Sequence, residues 1–163
     1  MAHTKSSRAR VAAGTLPILL VAAALAAPPR DLKTIDVCSF AAGAEVARLA
    51  GGSLLDAKRF NAPDGTLARC VYGVALPGKG SEKERTAWVV ELFPPGDFDA
   101  LRPHVDEPVR DVAGLGDGAW EYKAADSGRW RIYAHKRGDV TVSVTGTDEP
   151  TVRKVAAFAL SRP

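Results

Sequence analysis

The sequence predicts an α+β domain: an antiparallel sheet of about six strands, with helices at the start, middle and end. Three observations carry that prediction. Segments rich in β-branched and aromatic residues follow one another across short polar connections containing Gly or Pro. Apolar residues recur at helical spacing near the start, the middle and the end of the folded part. Two cysteines, Cys38 and Cys70, lie far enough apart to staple one end of the chain to its middle. Consecutive strands on short connections pair antiparallel, which gives the order helix, three strands, helix, three strands, helix.

The fold does not begin at Met1. Residues 1–26 have the three parts of a secretory signal peptide. Lys5, Arg8 and Arg10 make a positive start, Thr15 to Leu25 is an apolar run broken by Pro17, and Ala24-Leu25-Ala26 is a small-x-small cleavage site. A bilayer span takes about 20 apolar residues, so the run reads as a cleaved leader, with an uncleaved N-terminal anchor as the alternative. No cysteine closes the apolar run to take a lipid. The chain has 22 basic and 19 acidic residues. All three basic residues of the leader leave with it, so the mature chain is charge-balanced and gives no electrostatic footprint for nucleic acid. Cleavage also leaves no stable membrane span. Residues 27–35 read as an exposed lead-in and 36–161 as one domain, long enough for a single core.

In an oxidising compartment Cys38 and Cys70 read most simply as a disulfide. It would close a loop of about 33 residues, worth about 3–4 kcal/mol in the chain-entropy model. Two buried thiols, or half of a metal site, are the rival readings. Neither cysteine has the histidine spacing of a zinc site.

The elements follow in order. Ala42 to Ala50 has the first helical pattern, with Gly51-Gly52 as its stop. Leu54 to Phe60 reads as a short strand. Asn61 to Thr66 is turn chemistry, and Ala68 to Leu76 is a clearer strand. Thr86 to Phe93 alternates Trp88/Val90/Leu92 with Ala87/Val89/Glu91/Phe93, apolar enough to be buried on both faces, and Pro94-Pro95 ends it. Asp97 to Arg102 makes one or two helical turns, with Asp97 as N-cap and Pro103 as stop. Residues 103–118 read as a loop. Strands follow over 119–122, 129–135 and 140–145. A closing helix spans 149–160, capped by Asp148, with an apolar stripe of Val152, Val155, Ala156 and Ala159. The helices together can cover one face of the sheet.

The triplet Arg137-Gly138-Asp139 has the letters of an integrin-type adhesion signal. Strand parity explains it differently. Trp130, Ile132 and Ala134 must share a face with Val140, Val142 and Val144, because a one-residue slip flips every side chain. A three-residue loop, Lys136-Arg137-Gly138, satisfies this by pairing Ile132 with Val142. It places Gly138 at the left-handed position and Asp139 at the strand edge.

Other candidates are weighed the same way. Gly114 to Ala119 spells G-x-G-x-x-A, but Trp120-Glu121-Tyr122 follow where a dinucleotide site needs a helix. Gly114, Gly116 and Asp117 therefore read as a tight structural turn. His104 and His135 are the histidines of the mature chain. His135 beside Ser143, or His104 beside Asp106 and Glu107, would be needed for a small secreted hydrolase, and no carboxylate is clearly placed to orient either. Asp97, Asp99, His104, Asp106 and Glu107 cluster without calcium-loop spacing. No cofactor motif is present, and the tryptophans read as core anchors.

The ordered set "DVCSFAAGAEVARLAGG", "RCVYGV", "VAGLGDGAWEY", "HKRGDVTVSV" and "VRKVAAFALSRP" resembles a class of exported bacterial domains of unknown function, common among actinobacterial secreted proteins and lipoproteins. The resemblance spans about residues 36–160. It implies an antiparallel sheet with packed helices, Cys38–Cys70 as the family disulfide, Gly114 to Asp117 as its loop and Gly138 as its hairpin turn. It implies no catalytic residues. Ala42-Gly43 stand where that class has Thr-Pro, which removes a polar cap from the first helix. The functional expectation is an exported, non-enzymatic binding or envelope-accessory domain, meeting a protein or small molecule in the envelope or medium. The hydrolase is the alternative.

Overall fold

A helix that apolar spacing does not announce opens the domain. Val37–Phe40 (α1) is set by Asp36, whose carboxylate accepts from the backbone N–H groups of Cys38 and Ser39 at 3.1 and 3.3 Å. The computed structural model describes residues 30–78, 84–136 and 139–162. The leader 1–26 and the turn residues Arg137 and Gly138 lie outside the described residues. Gly43–Leu49 (α2) follows after a break and is the helix expected over 42–50, so α1 is an additional helix ahead of it. Ala42 turns the chain at φ 43° and supplies no side-chain cap. The end of α2 is better specified. Gly51 takes a left-handed φ of 77°, its N–H reaches Arg48 O, and Gly52 N–H reaches Ala47 O at 2.9 Å. That pair of bonds satisfies carbonyls the helix would otherwise leave open.

The strands are Ser53–Asn61 (β1), Ala68–Leu76 (β2), Glu84–Phe93 (β3), Arg110–Asp111 (β4), Gly118–Lys123 (β5), Trp130–His135 (β6) and Thr141–Gly146 (β7). They form one antiparallel sheet in the order β1-β2-β3-β7-β6-β5-β4. Two meanders, β1 to β3 and β4 to β7, join where β3 meets β7. The strand beyond the expected six is β4. It is two residues long, Arg110 opposite Glu121 and Asp111 opposite Trp120, within the segment expected to be a loop. Asp97–Leu101 (α3) leads into a 3-10 turn at Arg102–His104, and Glu149–Leu160 (α4) closes the chain. Asp148 caps α4 as expected, accepting from Thr151 N–H at 2.9 Å. Asp97 does not cap α3: Gly96 holds that position and Asp97 lies in the first turn.

Parity across the β6–β7 hairpin is as expected, but its register is not. Ala134 pairs with Val142, Ile132 with Val144 and Trp130 with Gly146, two residues from the expected offset. The reason lies in the core. A Cβ on Gly146 would stand 2.0 Å from the Trp88 ring, so only glycine fits opposite Trp130 there. Asp139 is consequently in the turn, its N–H bonded to Lys136 O at 3.0 Å, rather than at a strand edge.

The helices divide between the two faces, which corrects the expectation that they cover one. Against α1, α2 and α4 the sheet packs Tyr72, Trp88, Val90, Ile132, Val142 and Val144, all fully buried, with Val37, Val46 and Val155 from the helices. Each such aliphatic side chain contributes about 1.5–3 kcal/mol on burial. The predicted stripe of α4 is wholly buried. On the opposite face α3 places Phe98 over Trp120, Tyr122 and Tyr133. Cys38 and Cys70 form the disulfide, with Cα atoms 5.1 Å apart, tying α1 to β2. The lead-in is not wholly exposed. Leu32 is buried in the core, and Asn61 Nδ2 donates to the carbonyls of Leu32 and Ile35 at 2.7 and 2.9 Å.

Candidate functional site

The face away from α1, α2 and α4 carries the polar groups of the sheet. Strand register aligns one row across all seven strands: Phe60, Arg69, Glu91, Ser143, Tyr133, Trp120 and Asp111. Glu91, at its centre, is 2% exposed. Arg69 Nε donates to Glu91 Oε1 at 2.8 Å, and Arg131 Nη2 lies 3.6 Å from Oε2. A buried carboxylate needs such partners, since burial of an unpaired charge is expensive. Arg131 also donates from Nε to Thr145 Oγ1 at 2.8 Å and from Nη1 to the Tyr133 hydroxyl at 3.3 Å. Burial works against its guanidinium. Tyr133, Glu91 and Tyr122 more than offset that, so Arg131 holds its proton more firmly than an ordinary arginine. Burial also pushes the Tyr133 phenol up.

Beside this group, Thr141 Oγ1, Ser143 Oγ and Glu91 Oε2 are buried without a hydrogen-bond partner among the described residues. Buried polar atoms are usually paired, so this row marks the sheet face as unusual. A cavity of about 230 Å³ adjoins it, lined by Glu107, Tyr122, Ala124, Asp126, Ser127, Arg131 and Thr145. Helix α3 covers only the β5–β6 side. Over β1 to β3 the face is open: Lys58, Phe60 and Ala87 are exposed, and Arg69, Val71 and Val89 half-buried.

The residues singled out in the sequence fall in different places. His135 stacks on Phe98, ring centroids 4.0 Å apart, and its strand partner is Thr141; Ser143 pairs instead with Tyr133 and Glu91. His104 is exposed at the end of the 3-10 turn. Glu107 accepts from Ala125 N–H at 3.2 Å. Among the described residues Ser143 Oγ has no hydrogen bond to a histidine. Among the described residues no group of three or more His, Cys, Asp or Glu is disposed to hold a metal ion.

The glycine turn does a structural task. Gly116 has φ 62°, and a Cβ there would meet His135 O at 2.2 Å; Asp117 N–H donates to the same carbonyl at 2.8 Å. Gly114 takes φ 76° in open space. Asp139 is gripped by Arg30, Nε to Oδ1 at 2.7 Å and Nη2 to Oδ2 at 3.2 Å. A carboxylate so engaged is not presented as a free loop-tip ligand.

Sequence reasoning placed Glu91 on its correct face but did not foresee its partners, Arg69 and Arg131. It also missed a second cluster on the helix-covered face, where Glu121, fully buried, accepts from Arg110 and Arg153 at 2.6 Å. An acid inside an otherwise apolar strand is the local signal in both cases. Comparison with known protein families, curated proteins and solved structures gives no match.

Proposed function

We propose that this chain is an exported, non-enzymatic binding or cell-envelope accessory domain, which meets its partner with the sheet face turned away from α1, α2 and α4. The observation that carries the reading is the unequal cover of the two faces. One is sealed by three helices; the other is left open over β1 to β3, beside a charged and hydroxyl-bearing row. An open, mixed apolar and polar sheet face suits recognition of another molecule. Export is supported by the form of residues 1–26 and by the Cys38–Cys70 disulfide, a bond that persists in oxidising compartments. No helix among the described residues is long and apolar enough to cross a membrane.

The test compares the native chain with Val71→Lys and Val89→Lys in pull-downs from the envelope fraction and medium of the native host. These positions lie mid-face and are half-buried, so the variants are first matched to the native chain in thermal stability. Capture of a stoichiometric partner by the native chain, and at least tenfold less by both variants, is the expected result. Equal capture by all three overturns the face assignment. Hydrolytic turnover lost in His104→Ala or His135→Ala overturns the non-enzymatic reading.

A further inference from the structure

We propose that β1 pairs with β1 of a second copy, antiparallel about a two-fold axis at Ala57, so that the sheet continues from one copy into the next. The inference does not depend on the partner-binding face above. Strand β1 is a sheet edge nine residues long, paired only with β2 among the described strands. Seven of its nine residues are exposed, an extent of open backbone that invites strand addition. The exposed large apolar side chains of the described residues are Leu54, Leu55 and Phe60, at 39, 50 and 53%, and all three stand on this strand.

Edges are ordinarily blunted by charge and by bulges, and β1 has both: Asp56, Lys58 and Arg59, with an irregularity between Leu54 and Asp56. The sign order decides which strand such charges admit. Ala57 is the central residue of β1, with an acid on one side and a base on the other. In an antiparallel self-pair centred there, Asp56 of each copy faces Lys58 of the other. Both lie on the same face of the sheet, since their partners on β2 are Gly73 and Val71. Opposite charges directly across an antiparallel pair are favourable, and like charges are not. Arg59 falls opposite the irregularity at Leu55, so no like charges meet; Leu54 and Phe60, whose partners on β2 are Val74 and Arg69, flank the seam on opposite faces of the sheet. An edge that repels most strands is thus complementary to its own copy.

The test is sedimentation of the full chain over a concentration series, alone and in mixtures. The native chain is expected to reach twice the monomer mass as concentration rises. Lys58→Glu alone and Asp56→Lys alone should each remain monomeric, because each places like charges opposite one another. An equimolar mixture of the two should dimerise again, since opposite charges then meet at both positions. The Asp56–Arg85 ion pair lost in the second variant is exposed on both sides and contributes little. A cysteine substitution, Ala57→Cys, gives an independent reading: the two-fold puts position 57 against itself, at a distance a disulfide spans, so mild oxidation should yield a covalent dimer. A chain that stays monomeric throughout, a dimer that survives Lys58→Glu, a mixture that does not reassociate, or no cross-link at position 57 would each overturn the proposal.

Discussion

Gly146 shows how a single residue sets a strand. It lies opposite Trp130 and under the ring of Trp88, where no Cβ fits. Gly146→Ala is expected to cost about 1–3 kcal/mol through overpacking. The urea midpoint should fall with little change in slope, and an unchanged midpoint would contradict the packing described. Tyr72 makes a second prediction. Its hydroxyl donates to Val37 O at 3.1 Å, and burial, with a smaller contribution from Asp36, pushes its phenol well above the ordinary tyrosine value. The folded state therefore favours the neutral phenol. Its contribution is complete below about pH 10, where the unfolded side chain ionises, and is lost as pH rises beyond it. Tyr72→Phe should lose about 1 kcal/mol at neutral pH. Above about pH 10 the variant should then lose stability less steeply than the native chain. Parallel alkaline curves for the two would rule out this linkage.

Among the elements, α4 is the most local in origin and was the most legible. Asp148, Pro150 and the stripe from Val152 to Ala159 fix its start and its buried face without reference to the rest of the chain. Asp148→Ala should cost about 1 kcal/mol, measured by chemical denaturation, because Thr151 N–H loses its acceptor. No change would mean that the cap is not formed. Strand β2 was equally legible, and its bounds fall where its apolar residues do. The break between α1 and α2 was not, since it depends on Asp36 capping a single turn and on Gly43 lying against the Tyr72 ring, where a Cβ would sit 2.9 Å from Cε1. Nor was β4, whose two residues are strand only because Glu121 and Trp120 lie beside them. The hairpin was read correctly in parity, which is a local property, and incorrectly in register, which Trp88 decides from another strand. The polar face follows the same division. Its residues could be assigned a side from alternation, but the pairing of Glu91 with Arg69 and Arg131 requires the strand order.

Over the whole molecule, two meanders meet at β3 and β7, and the chain's first described residues close onto its last hairpin. Arg30 reaches Asp139, contacts Arg162 O at 3.4 Å, and stacks over Phe40 at 5.0 Å from the ring centroid. Intact-mass analysis of the chain recovered outside the cytoplasm, with and without reduction, tests export and cross-linking together. The expected result is a chain starting at Ala27, lighter by two hydrogens before reduction than after. A chain retaining Met1, with both Cys38 and Cys70 open to alkylation without reductant, would contradict it.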